Sequence, residues 1–358
     1  MAYTTIDDPS AYFQIALYTG NQTARSITND GNSDLQPDLV WDKNRNTNSY
    51  HHNAYDSSRG VGKQLRPNKD DAEINQAQGV TAFNSDGFSL GTDDSSNKTN
   101  SPYVAWQWKA NGGTTSTNTA GTNIDTTVQA NTTSGFSIMT YTGTGTDNDS
   151  LGHGLGAVPH VIAVKNRDET NGWQVYHHKN TGSPETDYLN FNDNGATADD
   201  SDRWSDQAPS STIITLGGND GVSKANVKYV CYAFTPIQGY SKFGSYTGNA
   251  SADGPFVYTG FKPAWVLTKN INNSFGSNNM WIIYDNKRVG INPVRHGIFP
   301  DQTVTESADD FVNLDLLSNG FKLRANEYAN NYDGDTMIYM AFAEHPFVSS
   351  KGVPATAR

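Results

Sequence analysis

The stretch GFSLG, Gly87 to Gly91, has the G-x-S-x-G form of a hydrolase nucleophile elbow. Such an elbow holds its serine at a strand-turn-helix junction, where the hydroxyl stands clear of the sheet. Here TDDSSNKTNSP follows, which is turn-forming and not helical. Ser89 also corresponds to Thr215 and Lys322 in two related stretches described below, as the outward residue of an alternating strand would. NFNDNG, Asn190 to Gly195, mimics the head of a calcium loop, but its first position is Asn and its twelfth is Ser201, so the EF-hand pattern fails. Asp147 with Asp149, and Asp199 to Asp202, have the composition of an irregular Ca²⁺ loop and equally of solvated turns. No metal or cofactor is assigned. Tyr50-His51-His52 and Tyr176-His177-His178 repeat a His pair. Adjacent strand residues point to opposite faces and do not readily share a metal, so both pairs are read as surface or edge histidines. Asp56 and Arg59 recur as Asp285 and Arg288, which a turn with a local charge pair explains. The sequence contains no Walker loop, dinucleotide fingerprint or CxxC pair. No catalytic residue is assigned, and the chain is read as non-enzymatic. Aromatic residues in polar loops are the remaining signal. Tyr50, Trp108 and Trp204 stand among Asn, Asp and Ser, a combination that suits glycan stacking or protein contacts. The competing reading folds each ring back onto its own core.

Composition constrains the elements that carry these residues. Charged residues make up 17% of the chain and aromatics 11%, against about 25% charged in ordinary soluble proteins. The polar load is Asn, Ser, Thr, Asp and Gly, which are poor helix formers and favour turns. No long window has helical periodicity, and the best candidates, Lys69 to Gln78 and Thr305 to Phe311, amount to a turn or two. The expected class is all-β. A formal net charge of −12 argues against nucleic acid as a partner. The single cysteine, Cys231, excludes an intrachain disulfide and sits in the apolar run KYVCYAFTP, as a buried small hydrophobe would. The N-terminus lacks the basic and apolar regions of a signal peptide, and no apolar run is long enough to span a membrane.

Landmarks recur three times in the same order. Tyr-Thr-Gly stands at 18–20, 141–143 and 246–248. A proline follows, Pro37, Pro159 or Pro263, then an apolar run closing on Lys-Asn. Next comes an aromatic strand with Tyr55, Tyr176 or Tyr284. A fourth strand holds FSL, IITL or FKL, and a closing strand reads YVAW from Tyr103, YVCY from Tyr229 and YMAF from Tyr339. Proline can begin a strand without donating to its ladder, and a continuous apolar run such as Val161 to Val164 suits a strand buried on both faces. The expected architecture is three tandem homologous β-sandwich, jelly-roll-like modules of about 100 residues. They lie at 15–110, 135–244 and 245–348, and closure into a pseudo-threefold ring would hide their sheet edges. Residues 1–14 read as an N-terminal docking arm, in which Pro9, Tyr12 and Phe13 are the candidates for contact with another protein by strand addition. Residues 111–134, rich in Gly, Ser, Thr and Asn, read as a linker, and 349–358 as a C-terminal tail.

Several phrases together, among them TIDDPSAYFQ, LQPDLVWDKNR, YDSSRGVGK, FNSDGFSLGT, DGPFVYTGFKPAWVLTK and YMAFAEHPF, resemble a β-rich repeat family of virion proteins from marine tailed bacteriophages, including cyanophages. The resemblance covers nearly the whole chain and implies a structural or tail-fibre-like virion component. It does not imply a catalytic site. The chain lacks the large attachment domain, coiled coil and β-helix shaft of a long fibre. The functional expectation is a phage receptor-binding adhesin that recognises the host surface. A capsid-decorating or vertex or tail knob protein is the alternative, and a polysaccharide-degrading tail enzyme the second. The expected partners are other virion proteins and a host glycan or protein, with neither nucleic acid nor membrane insertion, and the chain would assemble in the host cytoplasm and leave by lysis. A homo-oligomer is compatible with this reading.

Overall fold

A computed structural model describes residues 2–272, 279–308 and 312–354. Strands dominate, and the α-helices among the described residues are three single turns at Asp94–Asn97, Ser201–Trp204 and Tyr328–Asn331. The all-β class follows from the composition. The helix expected at Lys69 to Gln78 is instead turns around a short strand, Ile74–Asn75. The one expected at 305–311 ends outside the described residues.

The main scaffold is a four-stranded antiparallel arrangement that occurs three times. The first sheet contains β1 (Phe13–Thr19), β2 (Leu39–Asn44), β3 (Asn53–Asp56) and β4 (Pro102–Trp108), in the order β1-β4-β2-β3. The second contains β5 (Phe136–Thr142), β6 (Val161–Asn166), β7 (Gln174–His177) and β8 (Lys228–Phe234), in the order β5-β8-β6-β7, at the centre of an eight-stranded sheet that continues past β7 through Asp187–Asn190 and Ala198–Asp199. The third contains β9 (Ser241–Thr247), β10 (Phe261–Asn270), β11 (Trp281–Asp285) and β12 (Thr336–Pro346), in the order β9-β12-β10-β11. Small sheets complete the fold. Arg25–Ile27, Phe88–Leu90 and Val80–Phe83 form one, Asp149–Gly152 and Ile213–Leu216 a second, and Phe256–Tyr258, Gly320–Leu323 and Leu314–Leu317 a third.

Register identifies the residues that correspond. Ile15, Ile138 and Phe243 face Trp106, Tyr232 and Met340. Asp56, His177 and Asp285 face Leu39, Val161 and Trp265. The closing strand of the third sheet therefore sits differently from the sequence expectation. Met337, not Tyr339, occupies the place of Tyr103 and Tyr229. The phrase YMAF matched by residue type but two places out of step.

Every four-stranded sheet is buried on both faces, which is why its middle strand is a continuous apolar run. Val40, Ile162 and Val164, and Val266 point to local cores shared with the small sheets. Trp41, Val161, and Trp265 with Leu267 point to one cluster common to all three sheets. Trp106, Trp108, Phe13, Phe234 and Phe342 join it, and a fully buried large apolar side chain contributes about 1.5–3 kcal/mol. A cavity of about 90 Å³ lies in this shared core, lined by Trp41, Ala163, Trp173, Phe191, Trp265 and other side chains.

The recurring landmarks have local causes. The Tyr18, Tyr141 and Tyr246 hydroxyls donate to the carbonyls of Ser96, Val222 and Asn330 at 2.8, 2.6 and 2.7 Å. Two residues on, a Cβ at Gly20, Gly143 or Gly248 would overlap the carbonyl oxygens of Lys98, Lys224 and Tyr332. Pro37 and Pro159 precede their strands, while Pro263 lies inside β10 at a break in register, a place a proline tolerates.

Two segments differ from expectation. Residues 111–134 are not a bare linker, because Ser116–Asn118 and Thr126–Asn131 form a hairpin that extends the second sheet beyond β5. Residues 2–14, the described part of the expected docking arm, do not form a free arm. Thr4 Oγ1 donates to Gln238 O at 2.8 Å, Tyr3 OH to Gly260 O at 2.7 Å, and Ser350 N to the Asp7 carboxylate at 2.6 Å. No helix among the described residues is long and apolar enough to cross a membrane.

Candidate functional site

The seams between the three sheets concentrate the buried polar chemistry. β2, β6 and β10 all end on Lys-Asn, and the lysines are buried: Lys43, Lys165 and Lys269. An ammonium inside a sheet packed on both faces has to find oxygen acceptors. Lys43 Nζ donates to Asn44 O at 2.8 Å and to Thr303 O at 3.3 Å in the β11–β12 connection. Lys165 Nζ donates to Asn166 O at 2.8 Å and to Asp70 O at 3.2 Å in the β3–β4 connection. Lys269 Nζ donates to Asn279 O and to Asn194 O, the latter at 3.2 Å in the β7–β8 connection. Each lysine thus ties its own sheet to a loop of another, in cyclic order. Burial pushes each of the three down to about 8. The following asparagine closes the strand, its side-chain oxygen accepting the backbone N–H two residues on at Asn46, Asp168 and Asn272.

A second cyclic set runs beside the first. Glu73 N donates to Arg167 O at 2.8 Å, Thr197 N to Ile271 O at 3.1 Å and Glu306 N to Arg45 O at 3.0 Å. A third set uses rings. Trp173 Nε1 donates to Arg66 O, Trp281 Nε1 to Asn190 O and His52 Nε2 to Phe299 O, all at 3.0 Å.

The side chains around these bonds differ between seams. Between the first and second sheets, Arg59 Nε reaches Asp56 at 2.5 Å and its NH1 reaches Glu73 at 3.0 Å, while Arg167 meets Glu73 at 2.9 Å. Tyr232 OH donates to Asp56 Oδ2 at 2.6 Å. Burial, the largest influence on Arg59, would lower it, but Asp56, Tyr232 and Glu73 together outweigh burial and raise it. Between the third and first sheets the same pattern holds. Arg288 Nε meets Asp285 at 2.6 Å, and Arg288 and Arg45 both meet Glu306, at 3.1 and 2.8 Å. Trp106 Nε1 takes the Tyr232 role, donating to Asp285 at 3.1 Å. Burial would raise Glu306, yet the arginines hold it down to about 2. The acidic pairs are therefore structural, enclosed with arginine inside the seams.

The seam between the second and third sheets departs from this plan. His177 stands where Asp56 and Asp285 stand, and donates through Nε2 to Tyr339 O at 3.2 Å. The His160 and His178 rings stack at 3.7 Å, and His178 Nε2 donates to Phe243 O at 2.9 Å. Burial and the neighbouring His178 and Lys179 push His160 down to about 4, and burial with His178 takes His177 to about 3. Lys179 and Lys242 form no ion pair among the described residues. Beside them opens a groove of about 550 Å³, and Phe256 and Tyr258 on its wall are 46% and 47% exposed.

The residues singled out from sequence lie elsewhere. All seven tryptophans are buried. Trp108 belongs to the shared core and Trp204 to the second local core, where its Nε1 donates to Asp187 O at 3.1 Å. Neither presents a ring to a ligand, which corrects the glycan-contact expectation for both. Tyr50 is partly exposed, with Lys98 over its ring at 5.3 Å. Pro9 and Phe13 are buried, Phe13 stacking on Phe342, and Tyr12 packs edge-on against Tyr240. These contacts lie within the chain, so Pro9 and Phe13 offer no surface for docking. His52 and His177 are buried in seams and are not surface histidines. Ser89 bonds Ser26 and Asn84 from its place on a strand. The stretch after it, expected to be free of helix, forms a single helical turn at Asp94–Asn97, which begins three residues past Gly91 and so does not continue from the serine as an elbow helix would. Cys231 is buried, and burial pushes its thiol up. No group of three or more His, Cys, Asp or Glu among the described residues is placed to hold a metal. The exposed Phe256 and Tyr258 were missed, although FVY between Pro255 and Gly260 is an alternating strand with two outward rings.

Residues 8–346 match a family described as a domain of unknown function, DUF7483, and the chain belongs to that family. No curated protein and no solved structure matches.

Proposed function

We propose that this DUF7483 chain is a non-catalytic binding component of a tailed-phage virion, and that it works as a receptor-binding head. On this reading three tandem β-sandwich modules close into a pseudo-threefold ring, and one seam is released from holding the ring together to hold a ligand. The observation that carries it is the cyclic repetition of the three bond sets, with the acid–arginine network present in two seams and replaced by histidine in the other. Closing a ring gives each module the same neighbour on the same side, so a single chain imitates a trimer. The buried acids support a role without catalysis, since they are enclosed with arginine and do not face a cleft. The virion assignment rests on the sequence phrases quoted above.

A second reading, a capsid-decorating or vertex knob, is favoured by the three loops that carry Asp70, Asn192 and Thr303, one from each sheet, which come together around a single hollow. Gold labelling of intact particles with an antibody to the chain separates the two. Label at the tail tip, together with binding of the purified chain to host cells, is the expected result. Label over the capsid overturns the receptor-binding reading.

A further inference from the structure

The turn after each third strand occupies the same place in every seam, so its three versions can be compared. After Asp56 come Ser57 and Ser58, after Asp285 come Asn286 and Lys287, and after His177 come His178 and Lys179. Between the first and second sheets the place is filled. Gln129, on the hairpin extending the second sheet, donates through Nε2 to the Ser57 and Ser58 hydroxyls at 2.9 and 2.8 Å. Between the third and first sheets it is neutralised. Lys287 pairs with Asp30 at 2.8 Å, Asn286 donates to Glu344 at 2.7 Å, and Asp8 lines the same hollow. Between the second and third sheets it is neither filled nor neutralised. The groove there carries His160, His178, Lys179 and Lys242, and no Asp or Glu among the described residues lines it. Lys242 Nζ stands 5.2 Å from the Tyr258 ring centroid and donates to Tyr258 O at 2.7 Å. The aromatic wall is an edge strand whose middle residue, Val257, points into the local core while Phe256 and Tyr258 face out. Side chains two apart on one strand face are about 7 Å apart.

We infer that this groove is the binding site for an acidic saccharide, in which isolated carboxylates meet Lys179 and Lys242 while sugar rings stack on Phe256 and Tyr258. The inference rests on the binding-protein reading and names its ligand class. Two cationic side chains, Lys179 and Lys242, beside two histidines held neutral by burial and with no acid among the described lining residues, on a chain of net charge −12, favour a ligand that is negative only at intervals. A densely charged polyanion such as nucleic acid would meet repulsion wherever it left the groove. An aromatic face with flanking donors suits a ring that has one apolar side and polar edges.

The test is calorimetric titration of the intact chain with a hexauronate, with neutral maltohexaose and with a single-stranded hexanucleotide. The hexauronate binds, and the double variant Lys179→Gln with Lys242→Gln weakens it by at least about tenfold, as does Phe256→Ser with Tyr258→Ser. Lys287→Gln, at the corresponding neutralised place, leaves the affinity unchanged. Unaltered thermal midpoints of the lysine variants establish that they fold. No hexauronate binding, tighter binding of maltohexaose or the oligonucleotide, or equal binding by the lysine variants overturns the site. The parent reading is decided separately on host cells. Attachment that survives the lysine substitutions keeps the adhesin and removes this groove. Hexauronate binding without cell attachment keeps the groove and removes the adhesin.

Discussion

The acid–arginine networks make a quantitative prediction about what closes the seams. Arg59→Met removes a guanidinium with no side-chain exposure that contacts Asp56, Glu73 and the carbonyls of Lys63 and Ala54. Asp56, equally enclosed, then keeps only Tyr232 OH and its own turn amide at Arg59 N as partners. Removing one member of a buried ion pair costs about 3–5 kcal/mol, because an uncompensated charge stays behind. At about 2.1 cal/mol/K per residue, 358 residues unfold with an entropy near 0.75 kcal/mol/K, so the expected fall in Tm is about 4–7 °C. The double variant Asp56→Asn with Arg59→Met leaves no unpaired charge at this place, since Glu73 keeps Arg167 at 2.9 Å, and recovers most of that loss. Lys224→Ala, which breaks the exposed contact to Glu169 at 2.8 Å, leaves the midpoint where it is. Scanning calorimetry at pH 7 reads all three. A midpoint for Arg59→Met within a degree of the parent refutes the argument, as does a double variant less stable than the single one.

The buried lysines predict a pH effect. Each falls from 10.5 to about 8, so the unfolded chain binds more protons than the native one between those values, and stability rises with pH across that window. Lys165→Met removes one such group, so its stability relative to the parent should fall by about 2 kcal/mol between about pH 7.5 and 9.5. Urea midpoints at the two pH values check it, and a constant difference contradicts it. Gly143→Ala should unfold the chain at a lower temperature than Gly156→Ala, because only the first Cβ meets a backbone carbonyl, although Gly156 also has a positive φ. Melting curves decide, and equal losses count against the close-approach reading of Tyr-Thr-Gly. Ala163→Val puts two carbons into the central cavity and should stabilise by about 1 kcal/mol, one or two degrees in Tm, whereas a fall means the space is too small.

Much of this architecture was legible in the sequence because each landmark has a local cause. Tyr-Thr-Gly marks a hydroxyl reaching a loop carbonyl and a glycine pressed against another. Lys-Asn marks a strand end, and the continuous apolar run before it marks a sheet covered on both sides. The seams were less legible, since they join residues about a hundred positions apart whose meeting depends on how whole sheets pack. Asp56 and Arg59 read as a local turn pair, and they are one, but nothing in their spacing announces Tyr232 or Arg167. Trp108 and Trp204 misled because polar neighbours in sequence say little about a ring that turns inward. The hairpin within 111–134 was hidden by a composition that suits both loops and edge strands. The candidate groove was not legible because Phe256 and Tyr258 stand on a strand, where alternation alone does not tell an outward ring from one turned to the core.

The presence of His177 where the other two seams have aspartate has a consequence for how the seams can differ. In a trimer of identical subunits a mutation appears at every interface at once, so a change that weakens adhesion between neighbours is suffered threefold. A covalent chain escapes that coupling. Two joints can keep their charged locks while the third does without one, since the short connection from Phe234 to Ser241 already ties the second sheet to the third.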